Sequence, residues 1–390
     1  MITPSGYFHP SCVRRLGQGE ILLAEGHVLQ HADGTIENIP PCEYPHYTAR
    51  GEMVSSELKP PTISHSWIED GNVTTSTSYG EITATVTVPR APYSNDGQTL
   101  YFFPGLEDIN DVVSIIQPVL GWNADFASAW GIASWNCCVS GTTWESTPVS
   151  VNSGNSILGT VRSTCSPGTL SCVTWNITTD DVTLGKSTTL SDSPSEGQTF
   201  NWAFGGALEV YNVVQCTDYP PNLSTNFYAI ALYDYNFNQV SNPAWSIANY
   251  TSGLTPQCSY GGQVAATQVT LDYGSASPTA TLSPSSLNFG DVPTNGPPRV
   301  ESVTLTNNNT ATLTISEMTF TGDNGFSISH NYCGSSVPGL SECTINLELD
   351  TSSGGCGSYT GTFYVYDSAT NSPQSVALKG VGVNHVAGGC

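Results

Sequence analysis

The sequence predicts an all-β chain made of two antiparallel two-sheet sandwiches, the second immunoglobulin-like. Three observations predict it. Glycine (38) and proline (25), with abundant Ser, Thr and Asn, punctuate short runs of β-branched and aromatic residues. No long stretch has helical periodicity. The strand-like runs fall into two groups on either side of "SASPTATLSPSS", whose composition is that of a linker.

Taken in order, residues 1–58 are an N-terminal segment that holds four of the seven His, and "ELKPPTISHSW" links it to the middle domain. It is expected to be a propeptide. Within it "EILLAEGHVLQHADGTIENIP" carries an Asp33-Gly34 turn between short extended runs, which predicts a hairpin. His27 and His31 have the i, i+4 spacing of a helical metal pair, but the turn argues for strand and there is no HExxH glutamate. Residues 62–273 contain "YGEITATVTVP", "QTLYFFPG", "VVSIIQPVLGW", "AWGIASWNC", "SILGTVRS", "CVTWNITT", "GALEVYNVV", "FYAIALYDYN" and "QVTLDYG", enough strands for a two-sheet sandwich. Residues 278–385 carry short strands at immunoglobulin-like spacing. With no titratable cluster, that domain is expected to be structural or to bind a surface or another protein.

Nine Lys plus Arg against 32 Asp plus Glu give a formal charge of −23, which excludes nucleic acid and anionic membrane as partners. With so few bases, protonating the carboxylates at low pH leaves little positive charge to drive unfolding. Twelve Cys without CxxC pairs or Cys/His zinc spacing predict disulfides, hence a secreted protein, and no metal or other cofactor. Cys165 with Cys172 and Cys333 with Cys343 are expected pairs, and adjacent Cys137 and Cys138 are expected to reach different partners. "MITPSGYFHP" has neither the basic start nor the apolar core of a signal peptide, and no membrane span is predicted.

Two polar residues interrupt apolar strand faces. Gln117 shares a face with Val113, Ile115 and Val119, and Glu209 with Ala207, Tyr211 and Val213. A buried amide or carboxylate needs partners or a function. Glu107 and Asp108 follow a strand and a Pro-Gly turn, and Phe102, Phe103, Trp122, Trp130, Trp135 and Tyr211 flank these elements. A Ser/His/Asp or Cys/His site is disfavoured, because His65 is the single His of residues 62–273 and no GxSxG elbow occurs. A two-carboxylate glycoside hydrolase using Glu107 and Glu209 is one alternative. A non-catalytic carbohydrate-binding or adhesive sandwich is the other.

From about residue 79 to 220 the chain resembles the glutamic peptidases, the eqolisin group, whose relatives include the neprosin-like proteases. The resemblance rests on four stretches in order: "GEITATVTVP"; "FFPGLED" running to "IIQPVLGW"; "AWGIASW" followed by "VNSGNSILGTV"; and "TWNITTDDVTLGKSTTLS" before "GALEVYN". It implies a lectin-like antiparallel two-sheet sandwich and an acid endopeptidase acting on polypeptides, with Gln117 and Glu209 as the catalytic dyad. By the same matching Phe103 replaces a family tryptophan, Glu107 occupies an acidic position beside the dyad, and Trp130 and Trp135 belong to the aromatic stretch; Tyr211 is a supporting candidate. The family's acidic residue in that stretch is replaced around Ser134. Trp130 and Trp135 are five apart, so in a regular strand they face opposite ways and one of them belongs to the core.

Overall fold

The computed structural model describes residues 1–23, 26–49, 51–54, 67–110, 115–139, 141–274, 280–308, 312–369 and 371–384. Val113, His65 and most of "ELKPPTISHSW" lie outside them, as does the start of "SASPTATLSPSS". The described residues are nearly all β and form two compact units, Met1–Gly274 and Ser275–Cys390.

Six short strands open the first unit: β1 (Ile2–Thr3), β2 (Gly6–Tyr7), β3 (Val13–Leu16), β4 (Ile21–Leu23), β5 (Val28–Gln30) and β6 (Ile36–Asn38). The Asp33-Gly34 turn joins β5 to β6 as an antiparallel hairpin, with Gly34 at φ +86°. His31 there shares a hydrogen bond with Glu20 at 2.7 Å, and the described residues contain no cluster suited to a metal.

The body of the unit is two sheets. The larger is built from β7 (Trp67–Thr74), β9 (Thr99–Glu107), β10 (Ile115–Trp122), β11 (Trp130–Val139), β12 (Thr142–Ser146), β17 (Trp202–Tyr211) and β19 (Ser246–Asn249). Its order is β19-β7-β17-β9-β10-β11-β12-β3, with β13 (Val149–Val151) also paired to β11. The N-terminal segment thus adds a parallel edge strand to the sheet, β3 on β12. The second sheet runs β16 (Lys186–Pro194), β15 (Thr174–Asp181), β14 (Ser156–Ser163), β8 (Tyr79–Thr87), β18 (Ser224–Asp234), β21 (Gln268–Asp272) and β20 (Gly261–Ala265).

Alternation along each strand divides its side chains between two apolar layers. Ile82, Phe102, Leu106, Ile116, Leu120, Ile132, Ile177 and Leu208 fill the space between the sheets. Tyr101, Phe103, Ile115, Val119, Ala133, Trp135, Ala207 and Tyr211 form a second layer on the opposite face of the larger sheet. β17 departs from strict alternation. Phe204 and Ala207, three residues apart, both lie in the second layer, because the register slips between them against β7 and β9 alike. Gly205 and Gly206 form this bulge, and Gly206 can carry no side chain: a Cβ there would sit 2.2 Å from the Phe227 ring of the facing sheet.

Cys165–Cys172 and Cys333–Cys343 are bridged as expected, and Cys12–Cys42 and Cys216–Cys258 join them. Cys137 and Cys138 correct the expectation of separate partners: both are free thiols, and Cys137 is the hydrogen-bonding neighbour of Cys138. No helix of the described residues is long and apolar enough to cross a membrane.

In the second unit one sheet is ordered Ala280–Ser283, Arg299–Asn307, Glu342–Leu349, Phe326–Asn331. The other is ordered Ser286–Pro293, Gln374–Val383, Gly357–Asp367, Leu313–Gly322, Ser336–Val337. Phe289, Val303, Leu305, Ile345, Phe363 and Val376 pack between them, a sandwich with its own core.

Because Gly206 lets the sheets of the first unit approach, Gly206→Ala is expected to lower its unfolding free energy by about 1 to 3 kcal/mol. Urea denaturation checks this, and an unchanged midpoint would mean that Phe227 repacks freely.

Candidate active site

The second apolar layer carries the polar residues. Gln117 lies between Ile115 and Val119 on β10, Glu209 between Ala207 and Tyr211 on β17, and β9 runs between these two strands with Tyr101, Phe103 and Glu107 on the same face. Glu209 is opposite Tyr101 on one side and Trp67 on the other. Gln117 is opposite Trp135 on β11 and lies beside Gly105 of β9, where an added Cβ would come within 3.0 Å of the Ile116 carbonyl oxygen and 3.4 Å of Gln117 Cβ. Both Gln117 and Glu209 have 0% exposure, so each must be satisfied by protein groups.

Their partners are specific. The Tyr211 hydroxyl donates to Glu209 Oε1 at 2.5 Å, two residues along the same strand face. Gln117 Nε2 donates to the backbone carbonyl of Pro4 at 2.8 Å, while Gln117 Oε1 is buried without a hydrogen-bond partner among the described residues. A peptide group of the N-terminal segment therefore sits on the amide. The same segment sends Ile2, Tyr7 and Ala49 against the layer, with the Tyr7 ring edge-on to Tyr211 at 5.3 Å.

The other expected residues divide by face. Phe103, Glu107, Trp135 and Tyr211 share the layer with Gln117 and Glu209, and Phe103 packs edge-on against Trp67. Trp130 faces the other way and packs on Trp122 and Phe102 between the sheets. Ser134 also points there, bonding Thr179 Oγ1 at 2.9 Å across to the second sheet, so it takes no place on the site face.

Two further carboxylates on this face escaped the sequence reading. Asp70 on β7 lies opposite Ala207, bonded by Asn72 Nδ2 at 2.5 Å and by the Tyr250 hydroxyl. Glu145 on β12 lies opposite Trp135 and receives Arg15 of β3 at 2.8 Å; Asp125 receives the same guanidinium at 3.1 Å. Alternation in "TTWES", where Trp144 turns inward, was the available signal for Glu145. Asp70 had none, because the register slip beside Ile68 decides its face.

Burial dominates the electrostatics of these groups. It lifts Asp70 to about 7, against the bonds from Asn72 and Tyr250 that pull it down. Desolvation raises Glu107 well above the carboxylate range, and the charges of Asp70 and Glu209 add to the rise. Glu145 rises to about 9 by burial, with Asp125 adding and Arg15 opposing. On the inter-sheet side burial takes Glu69 to about 9, although the Gly261 amide lowers it. The folded chain thus keeps protons that the unfolded chain releases near its ordinary values of 3.8 and 4.5. Between those values and about 7 to 9 the native state binds more protons than the unfolded one, so stability falls as pH rises.

No known family profile matches the sequence, and no curated protein matches it. Among solved structures the chain is similar to scytalido-glutamic peptidase bound to a peptide-based transition state analog. That likeness has a TM-score of 0.40 and 16% identity, and covers 53% of this chain and 98% of that one. It is also similar to SCP-B, a member of the eqolisin family of peptidases, in complex with the tripeptide Ala-Ile-His (TM-score 0.39, 17% identity, 53% and 98% covered). A protein of unknown function from Porphyromonas gingivalis W83 is a more distant likeness, with TM-score 0.24, 9% identity, and 58% and 90% covered.

From the raised carboxyls, the midpoint of thermal unfolding is expected to be at least about 5 °C higher at pH 4 than at pH 8. Asp70→Asn should flatten that slope by removing one titrating group. A midpoint that climbs from pH 4 to pH 8 would show these carboxyls to be ionised in the fold.

Proposed function

We propose that the first unit is an acid endopeptidase of the glutamic type, secreted, with Gln117 and Glu209 as its catalytic residues and no metal or other cofactor. The observation that carries the proposal is the hydrogen bond from the Gln117 amide to a peptide carbonyl, that of Pro4, on the sheet face that also bears Glu209. An amide N–H that donates to a bound peptide carbonyl is positioned to donate to the oxyanion that forms from it.

In the proposed reaction a water lies between Glu209 and the scissile carbonyl. Glu209 takes one proton from it as the water oxygen bonds to the carbonyl carbon, and the carbonyl π pair moves to oxygen, where Gln117 Nε2 donates to the oxyanion. The intermediate collapses as the oxyanion pair re-forms the carbonyl and the C–N bond breaks. Glu209 returns its proton to the leaving nitrogen, giving a carboxylic acid and an amine. Tyr211 holds Glu209 in one rotamer through the 2.5 Å bond. Trp135 and Phe103 supply apolar walls, and Glu107, Asp70 and Glu145 are supporting carboxyls kept protonated by burial.

Glu209→Gln and Gln117→Ala are each expected to abolish proteolysis with little change in the unfolding midpoint. Loss of the oxyanion donor should lower turnover by about 10² to 10³, and loss of the base by at least as much. Mass-spectrometric mapping of cleavage in an unfolded protein substrate checks this; full activity in folded Glu209→Gln would end the reading. Because one carboxyl must be ionised for attack and protonated for departure, the rate profile should centre between roughly pH 3 and 5.

Residues 275–390 form their own compact unit, which supports a separate role in binding a surface or another protein. A chain ending at Gly274 is expected to keep peptide hydrolysis within about twofold of the full chain. A folded truncation unable to cleave peptides would require a catalytic contribution from the second unit.

A further inference from the structure

Cys137 and Cys138 are the free cysteines among the described residues, and neither the fold nor the proposed reaction uses them. In a regular strand adjacent side chains point to opposite faces, which would hold the two sulfurs apart. Here they share a face. The pairing of β11 with β12 is irregular between Asn136 and Val139, and both cysteines pack against the site-face layer, Cys137 within it and Cys138 at its margin with partial exposure. The two thiols share a hydrogen bond. Cys137 is opposite Ile115, so it is the next site-face position along β11 after Trp135, which is opposite Gln117. Conditions that oxidise four other cysteine pairs of this chain also oxidise neighbouring thiols that touch.

We propose that Cys137 and Cys138 are joined as a vicinal disulfide, a ring closed across a single peptide bond on the site face, and that it is the most readily reduced bridge of the first unit: a modification site closed by a disulfide oxidant and opened by a small thiol. This goes beyond the peptidase reading and does not rest on it.

Closure begins at Cys138, the more exposed of the pair. Its thiol loses a proton and the thiolate attacks one sulfur of the oxidant RS–SR, forming a mixed disulfide and expelling RS⁻, which takes up that proton. The Cys137 thiolate then attacks the Cys138 sulfur, the ring closes, and the second RS⁻ leaves with the Cys137 proton as RSH. Two thiols are oxidised by two electrons, and one oxidant disulfide becomes two thiols. The hydrogen bond with Cys137, and then burial, hold the Cys138 thiol above its ordinary range, so little thiolate forms in the finished fold. Closure therefore accompanies folding, when the other pairs close. Lability follows from adjacency. The bridges at Cys12–Cys42, Cys165–Cys172 and Cys216–Cys258 join Cα atoms 5.6, 5.7 and 5.3 Å apart, within the ordinary range of about 4.4 to 6.8 Å. Consecutive Cα atoms lie about 3.8 Å apart or less, so a bridge between neighbours is strained and is reduced more easily.

The test uses the full chain recovered through an oxidising secretory route. The protein is denatured without reductant in excess N-ethylmaleimide, digested with chymotrypsin and weighed by mass spectrometry. The peptide Asn136–Trp144 is expected to carry no label and to weigh about 2 Da less than its dithiol form, in at least about nine chains in ten. When the folded protein is first incubated with graded dithiothreitol, this peptide should take two labels at a concentration about tenfold below that which opens Cys216–Cys258. Two labels without any reductant, while the other bridges stay closed, overturn the ring, as does a link from either residue to a third cysteine. A ring that opens only with or after Cys216–Cys258 overturns the labile site. No arm reads peptide hydrolysis, so the outcome is independent of the roles of Gln117 and Glu209.

Discussion

The candidate site depends on one extra residue in β17. Side chains alternate strictly in a regular strand, so a slip of one position sends every following residue to the other face. Phe204 lies on the site face, and without the slip Glu209 would share the inter-sheet layer with Ala203, while Leu208 would turn to the site face. The bulge at Gly205–Gly206 reverses that parity and brings Ala207, Glu209 and Tyr211 round to face Gln117's layer. Glycine is required there for a second reason, since the bulge pushes backbone towards Phe227 of the other sheet. The position of a carboxylate and the spacing of two sheets are thus set by the same two residues.

Once Glu209 is on that face, the apolar layer determines its surroundings. Tyr101, Phe103, Trp67 and Tyr211 exclude water, which makes any unpaired polar group costly. The carboxyls at Asp70, Glu107 and Glu145 meet that cost by holding protons, and their neighbours Asn72, Tyr250 and Arg15 reduce it only in part. A layer of this kind suits acid, where protonation removes the buried charge. The composition points the same way, since nine basic residues leave little positive repulsion when the carboxylates are neutral.

Much of this was legible in the sequence because it is local. Alternation in "IIQPVLGW" put Gln117 with Ile115 and Val119, the runs around "SILGTVRS" and "YGEITATVT" became β14 and β8, and the short loops at Cys165–Cys172 and Cys333–Cys343 closed as expected. What was not legible is set by long-range register. The face of Asp70 depends on a slip against β17, and Glu145 acquires its hydrogen bonds from Arg15 on β3, 130 residues earlier in the chain. Cys137 and Cys138 could not be assigned from spacing, because neighbouring thiols at a register irregularity need not point apart. Nothing in "MITPSGYFHP" announces that the Pro4 carbonyl will meet Gln117, 113 positions away.

The hydrogen bond between them explains why a cover and a substrate can compete on near-equal terms. Gln117 exchanges one peptide carbonyl for another, so the net hydrogen-bond energy of the swap is small. Affinity then comes from what surrounds the carbonyl and from tethering. The segment is covalently part of the chain, and a short tether gives it an effective concentration of about a millimolar or more, which a free peptide must exceed or match with better side-chain contacts. In the proposed peptidase, Tyr7 on Tyr211 is the contact a substrate has to replace, and a cavity of about 140 Å³ beside that ring, lined in part by Ala49, is where an apolar side chain can outdo Ala49. Cutting the chain beyond residue 54 would leave β3 paired to β12 and Arg15 bonded to Glu145 and Asp125, so cleavage alone would not clear the face. Release therefore has to work through the sheet-edge pairing and the Arg15 hydrogen bonds, contacts that lie outside the dyad and can weaken without altering the geometry of Gln117 and Glu209.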